Sequence, residues 1–407
     1  MKPAARSLAV CPPDGFGFID KRRDTPHNAA RMRASRVPTP LFGVALVVGG
    51  VAFGAYLWLR PSLEAAPAPA PPPASSSPPA VASVVADAGV ARPAPPLAPD
   101  VDATTLKAQR EALFARMRSE LELDEGALSE VRRIFASSNV LSQGNPDVTQ
   151  HPMTRAECRA IRAEAGLAPQ YDERCRAWNM VPAWNAAAGE TAADARVCVD
   201  QFEYPNVPCE YPVVWVQANE AQALCRAQHK RLCDAHEWEG ACAGSLLPPE
   251  QDYLFGVPRK EAKFRHNAAR EKRWAYGAEK DHKRCGTGST KNETCAGGGW
   301  KTCGSNTYPA GAFPGCVSPF GVYDQHGNAA EHMSLPLRTE ELGALGGTGD
   351  TEMKGSWFIF ATYEAHEDDC RFRAPDWHVS RLMDPRSHLN YHLGFRCCSD
   401  LPKGDGG

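Results

Sequence analysis

Fourteen of the fifteen cysteines lie beyond residue 150, and only Cys11 precedes them. Sulfur in such numbers can hold a metal, act as a nucleophile or cross-link the chain. An even set along one stretch points to pairing, and disulfides persist in an oxidising space. Zinc is the competing chemistry, but no C-x-x-C pair or Cys/His knuckle occurs among these residues, so cross-links are the better reading. A second constellation offers oxygen. YDQHGNAAEH at 323–332 carries Asp324, then Gly327 and Asn328 in a turn, then Glu331. Such a run suits calcium, which takes carboxylates, amide oxygens and carbonyls from a tight loop. The bland alternative is a turn held by Asp324 and Asn328 without metal.

The remaining reactive side chains give weaker patterns. His388 and His392 are four apart, and a loop pair of this kind is expected to face solvent. Glu367, Asp368 and Asp369 form an acidic run, expected to be a solvated loop. The chain contains no phosphate-binding G-x-x-x-x-G-K loop, G-x-S-x-G elbow or H-E-x-x-H helix, and GGTG at 346–349 reads as a turn. A net charge of −3 and a pI near 6.5 give no reason to expect a nucleic-acid partner.

These groups need elements to position them. Leu41–Leu59 is uncharged and about 20 residues long, enough to cross a bilayer as a helix. Lys21, Arg22, Arg23, Arg31, Arg33 and Arg36 precede it, and only Arg60 follows closely. The positive-inside rule then leaves residues 1–40 as a cytoplasmic tail and 41–60 as an uncleaved signal anchor. The bulk is expected in the periplasm or outside the cell. Residues 61–101 are Pro/Ala-rich and predict an extended, disordered spacer.

From Asp102 the pattern turns helical. Leu106, Leu113, Met117 and Leu121 make one apolar stripe, capped by Asp102 or Thr104, and Leu128, Val131, Ile134 and Phe135 make a second after Asp124. Both are too short for a coiled coil, so they predict packing against the neighbouring domain. Residues 102–195 form this helical neck, with Cys158 and Cys175 placed to staple its later part. RVCVDQFEYPN at 196–206 reads as a strand ending in a Pro-Asn turn. Asn219 with Gln222, and Asp234 with Glu237, resemble capping boxes opening two short helices. Trp238 falls on the inner face of the second. Cys285, Cys295, Cys303 and Cys316 sit in a Gly-rich region and are expected to pair among themselves.

VCVDQFEYPN, PVVWVQANEAQALCRAQHKRLCDAHEWEGACAG, FGVYDQHGNAAEH, KGSW and a terminal GFRCC occur in one order over residues 196–399. The ordered set resembles the formylglycine-generating enzyme (sulfatase-modifying factor) family. The resemblance implies an α+β, C-type-lectin-like domain over 196–400, loop-rich and held by disulfides and calcium. It implies the pairs Cys225–Cys397 and Cys242–Cys370, and calcium bound by Asp324, the carbonyls of Gly327 and Ala329, and Glu331. Cys398 is an addition with Cys233 as its natural partner, since a vicinal bond to Cys397 is strained.

The family enzymes oxidise a substrate cysteine with oxygen, using two cysteines that bind Cu(I), a soft ion that prefers sulfur. The resemblance aligns Ser356 with the serine before the first of these. The first cysteine position then holds Ile359, and the second holds Glu364 or Ala365. Ala330 and His332 stand where the family has an aromatic pair. Isoleucine cannot ligate copper, so a copper cofactor is not expected. The implied function is a tethered module binding a protein or peptide. The rival reading is an oxidase, or an iron-dependent relative, acting on thiols.

Overall fold

The first two helices begin where a side chain satisfies the unpaired amides of the opening turn. The computed structural model describes residues 92–401 except 102, 296, 344–348 and 376–378. The expected tail, membrane anchor and most of the spacer therefore lie outside the described residues. Helix α1 (Leu106–Glu120) is capped by Thr105, whose hydroxyl accepts from the Ala108 amide at 3.1 Å. The cap is thus Thr105 and not Asp102 or Thr104, the two residues favoured by sequence. Helix α2 (Glu125–Ala136) is capped by Asp124 in the same way. Among the described residues no helix is long and apolar enough to cross a membrane.

The two apolar stripes do what their short length predicts. Leu113, Met117, Leu128, Val131, Ile134 and Phe135 share one buried core with Leu224, Tyr204, Phe395 and the Cys225–Cys397 pair. Phe114 meets Phe135 edge-on at 5.2 Å. The neck is therefore part of the same core as the later helices. α3 (Arg155–Glu164) carries a full Thr154/Glu157 capping box. Residues 92–100, expected as spacer, run against α1 with Pro95 buried.

Among the described residues nine short strands follow. β1 (Tyr171–Asp172) and β2 (Ala177–Trp178) pair with each other. β3 (Met180–Ala183), β4 (Val197–Asp200), β9 (Cys397–Asp400) and β5 (Arg231–Leu232) form an antiparallel sheet in that order. β7 (Asp350–Lys354), β6 (Ala330–Leu335) and β8 (Leu393–Phe395) form the third, with β6 and β8 parallel. The strand expected over 196–206 stops at Asp200, but its turn survives, with Asn206 left-handed at φ 67°.

Helix α4 (Ala218–Ala227) is boxed by Gln217 and Glu220, two residues before the Asn219/Gln222 pair that the sequence offered. Helix α5 (Ala235–Ala243) has the expected Asp234/Glu237 box and fully buries Trp238. α6 (Pro249–Asp252) and α7 (Arg259–Ala269) complete the helices.

Seven disulfides join the fourteen described cysteines. Cys225–Cys397, Cys242–Cys370 and Cys233–Cys398 match the expected pairs. The Gly-rich region pairs internally as Cys285–Cys316 and Cys295–Cys303. Cys158 and Cys175 do not join each other: they reach Cys209 and Cys198. Side chains alternate across a strand. Cys397 therefore enters the core shared with α4, and Cys398 the core around Trp238, which separates neighbours that could otherwise have bonded.

Candidate functional site

The loop expected to hold calcium is shaped by three left-handed residues: Asp324 at φ 57°, Gly327 at 79° and Asn328 at 54°. Gly327 is required there, because a Cβ would lie 2.7 Å from the Gly286 carbonyl carbon. Its amide donates to Ser356 Oγ at 2.9 Å. Asn328 closes the turn, accepting from the Tyr308 amide and donating through Nδ2 to Glu203, at 2.8 and 2.7 Å. The Ala329 amide also donates to Glu203, at 2.7 Å. Glu203 is completely buried. It was not among the residues singled out from sequence, although it lies within the VCVDQFEYPN motif, where a carboxylate followed by Tyr-Pro gave no sign of a distant partner.

Glu331 opens the third sheet and is forked by Arg396, at 2.7 Å from Nε and 2.6 Å from Nη2. Trp238 Nε1 adds a third bond at 3.1 Å. Arg396 spends its other donors on the carbonyls of Asp200, Gln201 and Tyr323. One guanidinium thus binds strand and loop, and its close ion pair is with Glu331. Among the described residues neither Glu203 nor Asp324 has a salt-bridge partner within 4 Å. Asp324 accepts from the Gly311 amide through Oδ2, while its buried Oδ1 has no hydrogen-bond partner.

Burial, then the charges of Asp324 and Glu331, push the Glu203 carboxyl well up. Burial also raises Asp324 to about 6. Three buried carboxyls with one close counter-ion make an environment that takes up either a proton or a cation. The orphan Asp324 oxygen, and the lone pairs left on each carboxylate, fit a hard cation held by oxygen. Asp324 and Glu331 lie near enough to Glu203 for their charges to raise it, and the Ala329 amide bonds to Glu203, but these carboxylates are not among the described groups whose ligand atoms come within 4.8 Å of one another.

The positions aligned with the copper cysteines lie beyond KGSW. Ile359 is buried in a cluster with Trp357, Phe358, Phe360, Tyr391 and Leu393. The chain turns there, the Tyr363 amide donating back to the Ile359 carbonyl at 3.1 Å. Glu364 pairs with Lys280 at 2.7 Å, Ala365 is half-buried, and Tyr363 is 62 % exposed. Of the acidic run only Glu367 is exposed as expected. Asp368 and Asp369 are buried: Asp369 pairs with Arg270 at 2.7 Å, and Asp368 accepts from Ser356 Oγ and Trp274 Nε1 at 2.8 and 3.1 Å. Their burial follows from these donors, which sit too far away in sequence to be seen there. Ser356 Oγ accepts from the Gly327 amide and donates to Asp368, so it ties the Gly327 turn to the acidic run.

His392 corrects a second expectation. It is buried and stacks on Trp357 at 4.5 Å between ring centroids, while His388 is half-buried. Among the described residues three buried groups have metal-ligand types in reach of each other. Two of them, around His326 and Glu237, use cysteines already joined as Cys242–Cys370 and Cys233–Cys398. The third, Glu239, Asp252 and His266, is interleaved with Lys354, Arg371 and Arg373, so its charge is already balanced.

A model of the sulfatase-modifying factor enzyme 1-like domain matches residues 145–401. That is more than half of the chain, and the chain belongs to this family. The match begins ahead of the ordered motifs and takes in α3 and the Cys158 and Cys175 bridges. No curated protein matches the chain.

Proposed function

We propose that this protein is a membrane-tethered, exported binding module on a sulfatase-modifying-factor scaffold, taking a protein or peptide segment without oxidising it. One observation carries the reading. Where the family resemblance calls for the first copper-binding thiolate there is Ile359, packed in an apolar cluster. All fourteen described cysteines are also committed to disulfides. Cu(I) chemistry needs soft sulfur donors, and the side chains around Ile359 supply carbon instead. Fold and activity separate readily when the reactive residues change. The aromatic surroundings, with Tyr363 exposed beside Ile359, suit contact with an extended peptide.

Calcium is proposed as a structural cofactor, held by Asp324, Glu331 and the carbonyls of Gly327 and Ala329. Its role is to neutralise the carboxyl surplus left by Arg396. The purified full chain, stripped with a chelator, is expected to unfold at lower temperature and to recover with added Ca²⁺, and Asp324→Asn to blunt that recovery. An unchanged melting temperature would remove calcium from the account. The binding reading is tested by offering the chain a cysteine peptide of sulfatase type with Cu(I) and oxygen. Retention of the peptide thiol is expected, and turnover would establish the rival oxidase.

A further inference from the structure

The segment ahead of α1 is bound to the domain through ordered contacts. Arg92 lies over the rings of Tyr171 and Trp178, 4.5 and 5.6 Å from their centroids, and forms an ion pair with Glu122. Pro95 is buried. Ser119 Oγ donates to the Pro96 carbonyl, and Arg116 to the Pro99 carbonyl at 3.2 Å. The Ala98 amide donates to the buried Glu120 at 3.4 Å. Asp100 ends the run between Arg116, at 3.0 Å, and Arg159.

We propose that Tyr171, Trp178 and the C-terminal end of α1 form a receptor for an arginine-led, proline-rich segment, filled by the chain's own Arg92–Asp100. A proline-rich strand has no internal hydrogen bonds, so its carbonyls need donors from the surface that receives it, and Ser119 and Arg116 are those donors. Its restricted backbone loses little entropy on docking. The register is set by charge. Arg92 is the only cation between Arg60 and Lys107, and eight residues later Asp100 meets two arginines. The prolines at 67–79 carry no charge and cannot make the same end contacts. The clamp fixes the position of residues 92–100 on the domain. This inference is independent of whether the domain is catalytic.

The test uses the full chain and a synthetic peptide of residues 91–101. In hydrogen exchange the Ala98 amide of the chain is expected to exchange at least about tenfold more slowly than in the free peptide. Arg92→Ala and Tyr171→Ala should each bring it toward the free-peptide rate, with β4 amides unchanged. The full-length Arg92→Ala, Asp100→Ala chain, whose own clamp is weakened, should bind the peptide saturably by tryptophan fluorescence. It should not bind the peptide lacking its arginine. An Ala98 amide exchanging at the free-peptide rate overturns the proposal, as does equal binding of the arginine-less peptide. Protection that appears only as protein concentration rises would place a second copy's segment in the groove and overturns the in-chain clamp.

Discussion

Cys225–Cys397 and Cys233–Cys398 close almost the same loop, spanning 172 and 165 residues, so their contributions cannot add independently. Consider replacing each pair by alanine, singly and together. With Cys233–Cys398 intact, Cys225 and Cys397 stay connected through a path of about 10 residues, and losing their bond frees the chain by only ~2.7 kcal/mol in the loop-entropy account. The reverse deletion costs about the same. Once both are gone, the shortest remaining path runs through Cys242–Cys370, a loop of about 45 residues whose closure is worth ~4 kcal/mol. The double variant should therefore lose roughly 1.3 kcal/mol more than the sum of the singles. The side-chain packing lost at each buried sulfur enters singles and double alike and cancels. Urea unfolding without reductant, followed by tryptophan fluorescence, measures all four corners of the cycle. Additive losses, or a double variant milder than the sum, would refute the argument that the two bonds back each other up.

Three further outcomes follow from the site. Arg396→Met removes the only close counter-ion of Glu331 among the described residues while its carboxylate stays buried, and should cost about 3–5 kcal/mol in urea unfolding; adding Glu331→Gln should recover part of that loss, and no recovery would mean that Arg396 matters chiefly through its carbonyl contacts. His151, His266, His326 and His332 are each held by burial at about 4, below the usual 6.5. Their unfolded forms take up protons first, so stability is full above pH 6.5 and falls as pH drops toward 4, by about 1.4 kcal/mol per pH unit for each histidine. The raised Asp324 carboxyl partly opposes this, since its stabilising protonation is present in acid and lost as pH rises through about 6. His151→Phe, which keeps the stack on Tyr211, should flatten the acid limb by one histidine's share in pH-dependent urea titrations, and an unaltered slope would contradict its assignment. Finally, Ile359→Cys with Ala365→Cys should create a Cu(I) site detectable as one extra equivalent in competitive chelator titration, and failure to bind would mean that the aligned positions do not face each other.

Much of this was legible from residue types because the governing interactions are local or patterned. The Asp234/Glu237 box, the Asp124 cap and the apolar stripes at Leu113–Met117 and Leu128–Phe135 depend on spacings of three and four residues. The misreadings share a different cause. Gln217 won the α4 cap because Glu220 reaches back to its amide, and a glutamine cap is a weak signal beside Asn219. Glu203, Asp368 and His392 owe their burial to partners that are distant in sequence, Ala329, Trp274 and Trp357 in the latter two cases lying on other loops. Residues 92–100 read as free spacer because their composition cannot build a core of its own. They are held instead by contacts with Tyr171 and Trp178 of β1 and β2 and with Arg116 and Ser119 of α1.

Sulfur braces this domain: the fourteen described cysteines are all paired, which leaves none of them as a thiolate for copper. The most direct measurement is a thiol count on the intact protein under denaturing, non-reducing conditions, paired with oxygen-dependent consumption of a cysteine peptide in the presence of Cu(I). We expect no titratable thiol beyond Cys11 and no consumption above the metal-only rate. Two reactive thiols together with catalytic loss of the peptide's sulfhydryl would contradict it.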